Sequence, residues 1–144
     1  MYNDDMKKIE EKIIFSFESI KDDIYGKFGD LWELDNSFER HIKRRQILGH
    51  IDNKDDYIDK TLDCLSNSNT FIFAQHKGSW DNVCYNKSKD WAVVFNENGK
   101  MMTSYKIDTD SYLGFESRHT INNAIIKKGK TNEKFREYFK NIRS

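Results

Sequence analysis

A chain of 144 residues with 37% hydrophobic, 14% aromatic and 33% charged residues is long enough for a single domain that buries roughly 70% of its extended-chain surface, and too aromatic to be disordered. Its 24 Lys and Arg balance 24 Asp and Glu, so no bulk charge draws it to nucleic acid or to an anionic membrane, and any basic site has to be local. Cys64 and Cys84 lack the spacing and the partners of a metal knuckle, and no segment approaches 18 uninterrupted apolar residues, which excludes a zinc module and a membrane span.

The N-terminal stretch MYNDDMKKIEEK is acidic and has no apolar run of signal length, so a cytoplasmic protein without a cofactor is expected. From about Asp5 to Tyr25, the residues Met6, Ile9, Ile13, Phe17, Ile20 and Ile24 recur at steps of three and four. That spacing predicts an amphipathic helix, stopped by Gly26 and Gly29. A loop then carries Phe28, Leu31, Trp32 and Leu34 back to the core. Asn36 or Ser37 caps a second helix that Gly49 ends, and Asp52 or Asn53 caps a third, running through Tyr57, Ile58, Leu62 and Leu65 to a break at SNSNT.

After that break the period changes. Thr70 to Gln75 reads as a strand, HKGSW as a turn, and Asp81 to Asn86 as a strand pairing back. Trp91 to Phe95 (WAVVF) is a run that suits a strand buried on both faces, and Asn98-Gly99 is a hairpin turn tolerant of positive φ. Lys100 to Ile107 follows, with Met101, Thr103, Tyr105 and Ile107 on one face and Met102, Ser104 and Lys106 on the other. A loop through Gly114, a short helix from about Thr120 to Lys127 and a final helix from about Asn132 to Ile142 complete the chain. The order predicts an α+β domain: N-terminal helices (about 1–66) packed on an antiparallel β-meander (about 70–107), with a C-terminal helical segment (about 118–144).

Within this frame the stretch Phe38 to Ile51, FERHIKRRQILGHI, carries the most chemistry. Drawn as a helix, Phe38, His41, Ile42, Arg45 and Leu48 share one face, with Arg44 beside it. His41 and Arg45 therefore point where the apolar residues point, and a partly buried guanidinium or imidazolium needs an anionic or polar partner. If that face looks onto the meander, Thr103 and Tyr105 are the polar strand residues it meets. An imidazole, a guanidinium, a hydroxyl and a phenol around one cleft can deprotonate a 2'-hydroxyl, protonate a leaving 5'-oxygen and stabilise a phosphorane, with no metal required.

A helix bearing His and a downstream Arg, a second helix, and a meander reading WAVVF, NENGK and MMTSY resembles the barnase, EndoU, colicin and RelE superfamily of small ribonucleases, in its phage-encoded and contact-dependent toxin branches. The resemblance covers roughly Phe38 to Ile107. It implies a metal-independent endoribonuclease toxin acting on tRNA or mRNA and restrained by a cognate immunity protein or antitoxin. By position it makes His41 the acid/base, Arg45 rather than Arg44 the phosphate-binding cation, and Thr103 and Tyr105 strand-borne contacts. Lys77, Lys106 and His119 are candidates for a remaining charged catalytic or substrate-binding residue. The zero net charge departs from the basic balance frequent in such enzymes.

Each of these residues has a plainer reading. His41 can hydrogen-bond a backbone carbonyl, Arg45 can pair with an internal carboxylate, and His50 can be a solvated or capping residue. His76, Lys77 and Trp80 form either an ordinary turn or a base-stacking lip for single-stranded RNA. Trp91 reads as core. The rival function is a non-catalytic binding protein, such as an immunity protein, antitoxin or phage-encoded inhibitor, whose charged helices dock on a partner. A DNA-groove role for the Arg-rich helix is weaker, because its apolar face is needed by the core.

Overall fold

The apolar stripe of the first segment builds α1 (Asp4–Glu18), but the helix stops sooner than its periodicity. Ser19 Oγ donates to Ser16 O at 2.6 Å, and the Ser19 and Ile20 amides turn back to Ser16 O and Phe17 O. These local bonds compete with the i→i−4 ladder and close the helix. Asp23 then caps a short α2 (Ile24–Lys27) by accepting from Gly26 N at 3.0 Å, and a 3-10 turn follows at Phe28–Leu31. Ile20 and Ile24 are still buried, so the stripe marks burial correctly across the break.

The computed structural model describes residues 4–34, 36–68, 70–76, 79–86, 89–106, 125–129 and 131–143. Beyond the first segment it contains α3 (Ser37–Ile47), α4 (Lys54–Ser66), β1 (Thr70–His76), β2 (Ser79–Asn86), β3 (Trp91–Phe95), β4 (Met101–Lys106), β5 (Ile125–Gly129) and α5 (Glu133–Arg143). The five strands lie in the order β4-β3-β2-β1-β5, and each neighbouring pair is antiparallel. The expected α+β arrangement of helices, meander and C-terminal helix is the one observed.

Two expectations of the sequence are corrected. Ile125 to Lys127 are not helical: they open β5, which pairs with β1 from Gln75↔Ile125 to Phe71↔Gly129. A β-branched Ile125-Ile126 pair suits a strand, and β1 supplies the backbone partners that a short isolated helix would lack. Residues 120–124 of that expected helix, the loop through Gly114 and Ile107 lie outside the described residues. Trp80, expected in a turn, stands inside β2 opposite Gln75.

The helices cover one face of the sheet. Met6, Ile13 and Phe17 of α1, Tyr57, Ile58, Leu62 and Leu65 of α4, and Phe135 and Phe139 of α5 join Cys84, Trp91, Val93, Phe95 and Met101 in one buried cluster. Phe17 meets Phe139 edge to face at 4.8 Å between ring centroids, a geometry that aromatic quadrupoles favour. On the opposite face Val83, Tyr85, Ala92 and Val94 form a second buried cluster, with Tyr105 against it. All five residues of β3 are buried, as a strand apolar on both faces requires.

The edge strand β4 departs from simple alternation. Val94 pairs with Thr103 but Phe95 pairs with Met101, so Met102 is one residue extra and makes a β-bulge. Met101 consequently joins the helix-side cluster instead of the face of Thr103 and Tyr105. The β3–β4 turn closes through Gly99 at φ +79, where a Cβ would lie 2.7 Å from the Lys12 backbone of α1.

Candidate active site

The site begins with how α3 ends. Gly49, at φ 76, donates to Gln46 O and His50 N donates to Arg45 O, each at 3.0 Å. This is the paired bond pattern that a left-handed glycine makes at a helix C-terminus, and it folds His50 back along the helix. Because α3 stops at Ile47, Leu48 is not part of its buried face and is 52% exposed. The deep position belongs to Arg45, only 8% exposed.

Arg45 wraps the edge of the sheet. Its Nε donates to Ser104 O at 3.2 Å, its Nη2 donates to Thr103 Oγ1 at 3.2 Å, and its guanidinium carbon lies 5.7 Å from the centroid of the Tyr105 ring. Hydrogen bonds to oxygen and the face of a phenol stabilise a charge that burial penalises. Among the described residues no carboxylate lies within ion-pair distance of it, the ion pairs there being Lys21–Glu18 and Lys60–Asp56. The cation is therefore held in place by neutral groups.

His41 stands one helical turn away. Its Nδ1 is 3.4 Å from Arg45 Nη2 and 3.4 Å from Thr103 Oγ1. A guanidinium can only donate, so Nδ1 acts as the acceptor and the proton of the neutral ring sits on Nε2. The ring lies against Trp32, with centroids 5.0 Å apart. Burial, and then the charges of Arg45, Arg40 and Arg44, pull its pKa down from 6.5 to about 4. At neutral pH the imidazole is uncharged and able to accept a proton.

Behind these two side chains lies a support that no local pattern of the sequence announces. Tyr57 Oη donates to Ser104 O at 2.5 Å, Trp91 Nε1 donates to Ser104 Oγ at 2.8 Å, and the Thr61 and Ser104 hydroxyls are 2.7 Å apart. Burial pushes the Tyr57 phenol up to about 12, so it remains a donor. Ser104 thus ties α4, β3 and the Arg45 contact into one network. The hydroxyls of Tyr57 and Thr61, one turn apart on a face otherwise apolar, are the available hint.

The structure brings together four residues singled out from sequence, His41, Arg45, Thr103 and Tyr105. Arg44 is exposed on α3 and contributes only its charge. Lys106 is exposed and lines a cavity of about 180 Å³ with His50, Lys60, Asp63, Lys89 and Trp91. Trp91 is core, 4% exposed. Lys77 and His119 lie outside the described residues. Among those residues no group of three or more His, Cys, Asp or Glu is placed to hold a metal ion, and no helix is long and apolar enough to cross a membrane.

A family model described as "Uncharacterised protein aq_aa01" matches residues 20–144. The chain belongs to that family. The matched region contains α3, α4 and the whole sheet, hence every residue of the cluster around Arg45. No curated protein and no solved structure matches the chain.

Proposed function

We propose that the protein is an endoribonuclease toxin that cuts RNA, of the tRNA or mRNA class, by transesterification without a metal ion. The observation that carries this reading is the Arg45 guanidinium, fixed by neutral groups and 3.4 Å from the acceptor nitrogen of an uncharged imidazole. A cation without a carboxylate partner among the described residues, beside a neutral base, supports binding of an anion that carries a removable proton nearby.

In this scheme Arg45 and Thr103 turn their donors to the phosphate, and His41 Nδ1, freed of their 3.4 Å contacts, takes the proton of the 2'-hydroxyl, whose oxygen attacks the adjacent phosphorus. The bond from phosphorus to the 5'-oxygen breaks, and that oxygen takes a proton from Tyr105. The products are a 2',3'-cyclic phosphate and a free 5'-hydroxyl. Arg45 and Thr103 stabilise the negative charge that grows on the phosphorane oxygens, where preorganised donors act most strongly. A bound phosphate also raises the basicity of His41, since it offsets the cations that depress it.

The direct test incubates purified protein with structured RNA in excess chelator, wild type beside His41→Ala, and reads fragments on a denaturing gel with end-group analysis. Discrete fragments ending in cyclic phosphate, absent with the variant, are the expected result. Intact RNA from a folded wild-type protein, together with normal growth of bacteria expressing it, sinks the nuclease reading. The second reading, a non-catalytic protein that docks on a partner, is favoured by one observation: Ile47 is 85% and Leu48 52% exposed, side by side at the end of α3.

A further inference from the structure

The cavity beside the Arg45 cluster has a charge pattern that the chemistry above does not use. Its lining comes from the turn after α3 (His50), from α4 (Lys60, Asp63), from the approach to β3 (Lys89) and its first residue (Trp91), and from the end of β4 (Lys106). Lys60 is held by Asp56, with Nζ 2.7 Å from both carboxylate oxygens. Asp63 accepts from Asn67 Nδ2 at 3.0 Å. Lys89 and Lys106 are exposed, and among the described residues neither has a carboxylate within ion-pair distance. With Lys60 offset by Asp56, Lys89 and Lys106 stand against the Asp63 carboxylate, which the neutral Asn67 amide does not discharge, so the balance of the cavity is positive by one charge.

The rest of the wall is less polar. His50 Nδ1 is enclosed without a hydrogen-bond partner, and a buried imidazole nitrogen is normally satisfied. Trp91, across the ladder from Lys106, directs its indole N–H to Ser104 Oγ, so the side it turns to the cavity is apolar. A volume of about 180 Å³ is roughly six waters' share of liquid, room for a phosphoryl group with some hydration. Position along the strand also fits. Lys106 follows Ser104, the residue that anchors Arg45, by two residues, about 7 Å at the rise of a β-strand.

We propose that this cavity is a second phosphate subsite, receiving a neighbouring phosphate of the same polynucleotide strand whose reacting phosphate sits at Arg45. Lys89 and Lys106 supply the charge, and His50 forms part of the wall. The inference rests on the RNA-cleavage reading for the identity of the strand. It assigns a binding role to Lys89, which that reading leaves idle.

The test uses 2'-O-methyl oligonucleotides, which lack the attacking proton and are not cut. Binding of a dinucleotide with one phosphate and of a tetranucleotide with three is measured across a salt series, for wild type and Lys89→Glu. Lys89 is an exposed loop residue, so the variant folds, and circular dichroism checks this. The expected result is tighter tetranucleotide than dinucleotide binding by the wild type. The variant then loses at least tenfold for the tetranucleotide, flattens the slope of log affinity against log salt by about 0.7, and keeps dinucleotide affinity. Unchanged tetranucleotide binding by the variant, or equal loss for both lengths, overturns the subsite alone. A wild type that binds neither oligonucleotide overturns the subsite and the nucleic-acid reading together.

Discussion

Arg45 and Ser104 are joined across the edge of the sheet, the guanidinium Nε of one donating to the main-chain carbonyl of the other at 3.2 Å. The same guanidinium reaches Thr103 and His41 through Nη2, so one side chain secures the fold and shapes the site. Its two duties separate by substitution.

Arg45→Lys keeps the charge but loses the planar fork, which a lysine cannot reproduce. The variant is expected to lose about 2 kcal/mol in urea unfolding, the scale for a charged hydrogen bond in a buried site. It should stay folded at 25 °C and lose about 100-fold or more in RNA cleavage. Wild-type cleavage by a destabilised Arg45→Lys would remove the guanidinium from the chemistry and leave it a purely structural group.

On the proposed chemistry, the depressed basicity of His41 sets where cleavage starts on the pH scale. In the free protein its pKa lies near 4, and kcat/KM reports ionisations of the free enzyme. The acidic limb of a kcat/KM profile on RNA is therefore expected at about pH 4 to 5, and that of kcat at higher pH, because bound phosphate raises the imidazole. A kcat/KM limb at an ordinary histidine value would show that another residue is the base. His41→Ala should lose between about 100- and 10,000-fold, the range for removing a positioned general base.

The same shift has a consequence for stability. The unfolded imidazole titrates near 6.5 and the folded one near 4, so between those values the unfolded chain binds more protons and stability rises with pH. The contribution is complete above about pH 6.5 and is lost as pH falls towards 4. Comparing wild type with His41→Gln by chemical denaturation isolates this from the carboxylates. The stability of the wild type relative to the variant should fall on acidification through that window, and a constant difference would mean that His41 is not buried as described.

Two glycines with nearly the same dihedral angle give a test of packing. Gly49 has φ +76 and open space within 4 Å of where a Cβ would stand, whereas Gly99 has φ +79 and a Cβ there would meet the Lys12 backbone at 2.7 Å. Gly49→Ala carries only the left-handed penalty, about 1 kcal/mol. Gly99→Ala adds a clash with a helix backbone, so its loss should exceed that of Gly49→Ala by at least about 1 kcal/mol. Equal thermal shifts would show that the β3–β4 turn does not rest on α1.

The pairing of His41 with Arg45 and of Thr103 with Tyr105 is legible in the sequence from two short periods, four residues on a helix and two on a strand; that the pairs meet depends on Arg45 reaching round the edge of the sheet to the face opposite the helices. What the periods cannot reveal is tertiary. The role of Ser104 depends on Tyr57, Thr61 and Trp91, residues 47, 43 and 13 positions away, and no local pattern links them. The bulge at Met102 is likewise invisible in MMTSYK, since it is defined by the partner strand. Ile125 to Gly129 escapes a sequence reading because a five-residue segment takes its state from the strand beside it, here β1.

An outermost strand is an invitation to another chain, because its outward backbone groups can template further pairing. On β4 that invitation is withdrawn at two places: Glu33 N donates to Met101 O at 2.9 Å, and Arg45 occupies Ser104 O. A lineage that discards Arg45 would keep Ser104 O covered by the Tyr57 hydroxyl. Molecules of such a lineage would lose whatever the charge does for a ligand without opening a seam along which separate sheets can join.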